Sequence, residues 1–217
     1  MTKKVYFNPN YNSTNIKNKN KRNIIILTSA ICRPNIHNKC FSNKLINVFN
    51  ECNNNYNIKW IINIDRTINC KFTQEDTKNN FKKLIKNINI EFILSKTPSY
   101  FNSCLNLINR AVEISKKNDI IFILQDDFIL KKELNLNEII TKYLTDMSYI
   151  SFVFNKFATF PPSLIGYELL LYYKKAFDKG HDKSRAGMDH ITRGYLRNIS
   201  LKNTPIHSFL INYDIDN

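Results

Sequence analysis

The chain has 217 residues, 43% of them apolar, enough to bury the core of one α/β domain or of a domain with an appended subdomain. Its 32 lysines and arginines against 18 acidic residues give a formal charge of +14, which favours anionic partners such as nucleotides, phosphorylated lipid, nucleic acid or an anionic membrane surface. Five scattered cysteines without a Cys-x-x-Cys pair argue against a zinc cluster or a disulfide framework, and the absence of glycine before Gly166 excludes G-x-G-x-x-G and Walker A loops from the first 165 residues.

Residues Met1 to Arg22 are polar and aperiodic apart from Val5-Tyr6-Phe7, and read as an N-terminal arm, flexible or laid over the domain. Asn23 to Leu27 is a first buried strand ending at Thr28-Ser29, and Ala30 to Cys40 reads as a loop. A helix begins at Lys44 to Phe49. Ile58 to Ile64 is a second strand, closed by Asp65-Arg66-Thr67. Helical spacing of Phe81, Leu84, Ile85 and Ile88 marks Thr73 to Asn87. Ile90 to Leu94 is a third strand, and Phe101 to Lys116 a further helix with Leu105, Ile108 and Val112 on one stripe. Ile120 to Leu124 follows as five consecutive large apolar residues, the signature of a strand buried on both faces. The alternation of strand and helix predicts a mostly parallel sheet with right-handed crossovers.

Beyond Leu130 the pattern predicts a helix over Glu138 to Met147, a strand over Tyr149 to Phe154 and a loop at Ala158 to Pro162. A helix over Leu164 to Lys175 and a charged loop at Asp178 to Arg185 follow. Asp189 to Leu196 reads as a short helix, and Ile206 to Tyr213 as a last extended segment.

Three strand ends carry the chemistry. Gln125-Asp126-Asp127 closes the fourth strand with adjacent carboxylates, whose repulsion at the edge of a core is relieved by a divalent cation; hard oxygen ligands favour Mg²⁺ or Mn²⁺. Asp65 can accept a hydrogen bond from a base N–H, while Thr28 and Arg33 can hold the rest of a nucleoside diphosphate. In a parallel sheet these ends share one edge, where open α/β folds bind ligands.

Taken together, Ile24 to Ser29, Ile61 to Asp65, and Asn109-Arg110-Ala111-Val112-Glu113 leading into Ile120 to Asp127 resemble the GT-A glycosyltransferases, especially small inverting enzymes and related viral ones. The resemblance spans roughly Asn23 to His207. It departs from the family at Gln125, which stands where the first carboxylate of Asp-x-Asp is expected. It implies a Rossmann-related GT-A-like fold over residues 23–217, with a nucleotide-sugar-binding half (23–130) and an acceptor half (131–217). It further implies a metal-dependent transfer from a UDP- or GDP-sugar to a glycan, lipid-linked or protein acceptor, with inversion.

In that scheme Asp127 and His207 are metal ligands for Mn²⁺ or Mg²⁺. Thr28, Ser29, Arg33, Asp65, Asn109 and Asp126 contact the donor. Phe160 to Ile165 resembles the loop covering the sugar. Asp189, in Arg185-Ala186-Gly187-Met188-Asp189, is the catalytic base, with His190 as its alternative. Lys96, Arg110 and Arg185 are candidate phosphate contacts, each weighed against an ordinary solvated cation.

Two other readings share these residues: a metal-dependent phosphatase or nuclease, and a non-catalytic sugar- or nucleic-acid-binding module. Nucleic acid is disfavoured, because Lys, Asn and Ile share A/T-rich codons and coding composition accounts for part of the charge. No apolar run reaches the length of a bilayer, and the cysteine usage fits a cytoplasmic location (host cytoplasm or virion for a viral gene) with basic patches available for peripheral membrane contact.

Overall fold

A computed structural model describes residues 21–66, 70–96, 98–130, 133–144, 149–152 and 162–179. The elements run β1 (Asn23–Ala30), α1 (Pro34–Cys40), α2 (Asn43–Cys52), β2 (Asn57–Asp65), α3 (Gln74–Leu84), β3 (Asn89–Ser95), α4 (Tyr100–Ile114), β4 (Ile120–Ile123), α5 (Leu136–Tyr143), β5 (Tyr149–Ser151), β6 (Ser163–Ile165) and α6 (Tyr167–Asp178).

The six strands form one sheet in the order β3-β2-β1-β4-β6-β5. The first four are mutually parallel, as the alternation of strands and helices requires. β6 runs antiparallel between β4 and β5. The central strands are apolar on both faces because helices cover both. Ile24 and Ile26 join Trp60, Phe122 and Leu164 in a core beneath α1, α2, α3 and α5. Ile25 and Leu27 join Ile61, Ile121 and Ile165 in a second core beneath α4 and α6.

Side-chain caps fix where two of the covering helices start. Thr73 and Asp76 close a reciprocal capping box on α3, and the Ser99 hydroxyl accepts from the Asn102 amide at the head of α4. Both helices therefore begin at the carboxyl edge of the sheet, directly after β2 and β3.

Two expectations are corrected. The segment expected as a loop up to Cys40 contains α1, which Pro34 opens at its first turn and which buries Pro34, His37 and Cys40 three residues apart. The helix expected from Leu164 starts instead at Tyr167, because Ser163–Ile165 pairs with β4 as a strand. Three apolar residues directly before a helical pattern carry no periodicity of their own. The expected segments beyond residue 179 lie outside the described residues. None of the five cysteines forms a disulfide, and no described helix is long and apolar enough to cross a membrane.

From β1 the chain passes to β2 and β3 on one side, then crosses back to β4 on the other. The switch in direction leaves a crevice beyond the carboxyl ends of β1 and β4.

Candidate active site

The crevice is organised by Asp126, which lies in the turn after β4 and is only 4% exposed. Its Oδ2 accepts from the Ile31 amide at 3.1 Å, from Arg33 Nε at 3.2 Å and from His37 Nε2 at 2.9 Å. Its Oδ1 accepts from Arg33 Nη2 at 2.5 Å. The same guanidinium nitrogen reaches Asp127 Oδ2 at 3.1 Å. Asp126 is thus held by the end of β1 and the start of α1, two segments about ninety residues earlier in the chain.

Burial alone would push the Asp126 carboxyl upward, but hydrogen bonds and charge attraction from His37 and Arg33 hold it below the ordinary carboxylate range. Burial likewise opposes the charge on Arg33, and its contacts with Asp126 and Asp127 reverse that effect and raise its pKa. An ionised Asp126 only accepts, so Nε2 of His37 carries the proton. The imidazole is fully buried and stacked on Phe81 at 4.5 Å, and its Nδ1 has no partner among the described residues.

The repulsion between the paired acids is therefore relieved by Arg33, within the protein itself. Among the described residues no cluster of three His, Cys, Asp or Glu side chains gathers to hold a metal ion. Asp127 nevertheless presents a side chain 42% exposed, with only Oδ2 hydrogen-bonded among the described residues. One open carboxylate oxygen beside a ligand diphosphate is how Mg²⁺ is commonly held, so this donor set fits such an ion without forming a cage.

The neighbouring strand ends form a second polar cluster. Asp65 is 4% exposed, and its Oδ1 accepts from Ser103 Oγ at 2.5 Å and Asn63 Nδ2 at 3.2 Å. Asn63 also donates to Ser95 and Ser103, and Asn106 donates to Asn63 Oδ1. These groups tie the ends of β2 and β3 to the first turns of α4. Buried and mutually satisfied, they hold the Asp65 carboxylate in one orientation.

The expected residues divide accordingly. Arg33, Asp126 and Asp127 come together beyond β1 and β4, whereas Asp65 belongs to the neighbouring Asn63–Ser103 cluster, Ser29 lies beside Gln125 and Tyr100 in a small apolar cavity under α4, and Lys96 is exposed after β3. Gln125 donates to the Tyr100 hydroxyl at 3.0 Å. Thr28 does not face the crevice: it is fully buried and its hydroxyl accepts from Trp60 Nε1 at 2.9 Å. Asn109 lies nine residues into α4, roughly 13 Å along the axis from Tyr100, and is not brought to the site. Arg110 is engaged by Glu91 and Glu113 on the flank of the sheet, away from any phosphate at the crevice. Asp189, His190, Arg185 and His207 lie outside the described residues. Sequence reasoning passed over His37, Asn63, Ser95, Ser103 and Tyr100; the buried spacing of Pro34, His37 and Cys40 was the one signal for His37.

No protein-family model matches the chain, and no curated protein matches it. Among solved structures it resembles a 4-diphosphocytidyl-2C-methyl-D-erythritol synthase, with a TM-score of 0.51 and 9% identity over 91% of each chain. A nucleoside-diphosphate-sugar pyrophosphorylase from Vibrio cholerae RC9 aligns at a TM-score of 0.48 and 10% identity, over 87% of this chain and 91% of that one. With the six-stranded, mostly parallel sheet and its covering helices, the likeness to the synthase shows a Rossmann-like mixed α/β fold.

Proposed function

We propose that the chain is a metal-assisted glycosyltransferase that moves a sugar from a UDP- or GDP-sugar to an acceptor hydroxyl with inversion. The reading is supported by one observation: Arg33 bridges the Asp126–Asp127 pair beyond the carboxyl ends of β1 and β4, and Asp65 ends the adjacent strand β2. Asp65 keeps Oδ1 on Ser103 and Asn63 and offers its other oxygen to a base N–H. Arg33, its side chain 28% exposed, faces the diphosphate while Asp126 fixes its guanidinium plane. Asp127 holds Mn²⁺ or Mg²⁺ together with the donor phosphates. A divalent ion bound there neutralises charge on the departing diphosphate. Asp189 takes the proton of the attacking hydroxyl, and His207 completes the metal set.

Thermal shift with UDP, GDP and their sugars, with and without Mn²⁺, tests donor binding; a selective rise that needs Mn²⁺ is expected. The variant Asp127→Asn loses that dependence, and Asp189→Asn keeps donor binding but loses transfer. Unchanged turnover in Asp189→Asn would remove Asp189 as the base.

A second reading is nucleotidyl transfer to a sugar phosphate, supported by the likeness to a diphosphocytidyl-methylerythritol synthase over 91% of both chains. The products separate the two. Glycosyl transfer releases a nucleoside diphosphate from the nucleotide sugar, whereas nucleotidyl transfer releases pyrophosphate from a nucleoside triphosphate.

A further inference from the structure

β3 is the end strand of the sheet, and its outer edge carries no strand among the described residues. Beside it runs a groove of about 450 Å³ between β3 and α3. Ile90, Phe92 and Leu94, alternate residues on one face of β3, line its floor, and Leu94 is 44% exposed. Lys78 and Lys82 of α3 form its wall. Edge strands with an exposed apolar face invite pairing unless they are covered or charged.

The charge around this edge is mostly positive, although Lys78 is paired with Glu75 at 3.1 Å and Lys82 is left, among the described residues, as the groove's open cation. Between residues 78 and 96 the sequence carries Lys78, Lys82, Lys83, Lys86 and Lys96 against Glu91 alone. Glu91 is already held by Lys59 at 2.6 Å and Arg110 at 2.6 Å, so it does not offset the lysines. A second copy of this chain pairing edge to edge would bring these lysines against their own counterparts. A bilayer surface does not fill a concave groove, and a nucleic-acid backbone has no use for an isoleucine and phenylalanine floor.

We infer that the β3 edge is a docking site for an acidic, extended peptide segment of a partner protein. The segment adds as a strand to β3, places apolar side chains over Ile90, Phe92 and Leu94, and meets the lysines with its carboxylates. This site is separate from the crevice and does not depend on the transferase reading.

Panning a phage-displayed library of short random peptides on the full-length chain tests the inference. The expected winners carry acidic residues around alternating apolar positions. As synthetic fluorescent peptides they bind with a salt-sensitive rise in anisotropy. Leu94→Ser and Lys82→Glu, both at exposed positions, each weaken binding about tenfold, the loss expected for one buried leucine or one reversed rim charge. Backbone N-methylation of the peptide at alternate residues, which blocks the strand ladder, abolishes binding. The inference is overturned if panning enriches no acidic sequence, or if the winners bind Leu94→Ser and Lys82→Glu as tightly as the unaltered chain. It is equally overturned if a DNA duplex or phosphatidylserine vesicles bind through Lys82 while the peptides do not.

Discussion

His37 Nε2 lies 2.9 Å from Asp126 Oδ2, and this contact joins a buried aromatic cluster to the turn that carries the paired acids. The histidine is fully buried between Phe81 and Phe41, so its ring cannot turn away from the carboxylate without displacing them. Asp126 in turn sets the position of Arg33.

Removing the charge of Asp126 leaves Arg33 without its main partner. Asp126→Asn is expected to lower stability by about 3 kcal/mol, as for other broken buried ion pairs. His37→Phe, which keeps the ring but loses the donor, costs less, about 1–2 kcal/mol, because Arg33 and the Ile31 amide still hold the carboxylate. Urea unfolding at neutral pH measures both. Equal losses would mean that Arg33 is not the dominant partner.

Thr28 supports the core and not the ligand. Thr28→Val leaves the Trp60 indole N–H buried without an acceptor, at a cost of about 1–3 kcal/mol. Donor binding by the folded variant is expected to be unchanged in calorimetry. A large loss of nucleotide affinity at full folding would contradict the placement of this hydroxyl.

Acid should loosen the flank of the sheet. Hydrogen bonds from Arg110, then from Lys59, hold Glu91 below its ordinary range despite partial burial. A carboxyl whose folded pKa is lowered contributes stability that is present above its unfolded value of about 4.3 and is lost as pH falls through the folded value. Glu91→Gln is therefore expected to cost about 1 kcal/mol at pH 7 and progressively less as pH falls below about 4, where the unaltered chain begins to lose the same contribution. Unfolding midpoints measured across that range check the convergence.

Much of the architecture was legible because its cause is local. The runs Ile24 to Leu27 and Ile120 to Leu124 read as buried strands since both faces of each are apolar, Ile58 to Ile64 read as a strand between them in sequence, and their shared carboxyl edge followed from the alternation with helices. α1 was not legible: most of its seven residues are polar, and a helix so short shows barely two turns of pattern. β6 escaped because its pairing with β4 is made across some forty residues. At the site, the Asp126–Asp127 pair was visible but its neutralisation by Arg33 was not. Periodicity gives the face a residue occupies and is silent on which distant group meets it there. Thr28 shows the same limit from the other side, since a hydroxyl at a strand end suits a ligand and a buried indole equally well.

Thiol chemistry gives an independent check on burial. Cys70 is half-buried and the other four cysteines are buried, with Cys52 pushed up to about 12 by burial and then by Glu51. A disulfide reagent at mildly alkaline pH is expected to modify Cys70 rapidly and all five only after unfolding, because the thiolate is the reactive form. Mass spectrometry of the partly modified chain identifies the site; fast modification of Cys52 in the folded chain would contradict its placement.

Gln125 offers the sharpest probe of how the site handles a cation. Its amide donates to the Tyr100 hydroxyl, a contact that the shorter side chain of Gln125→Asp gives up. The substitution adds a negative charge one residue from Asp126, whose own charge is already matched by Arg33 and His37. The added charge lies two residues along the chain from Asp127, where an open carboxylate oxygen remains. Mn²⁺ affinity in the presence of UDP or GDP is therefore expected to rise about tenfold, the effect of one further carboxylate at short range in a partly screened site. Titration followed by the paramagnetic resonance of free Mn²⁺ measures it directly. No gain in affinity would place the ion away from the turn after β4 and withdraw Asp127 from the metal set.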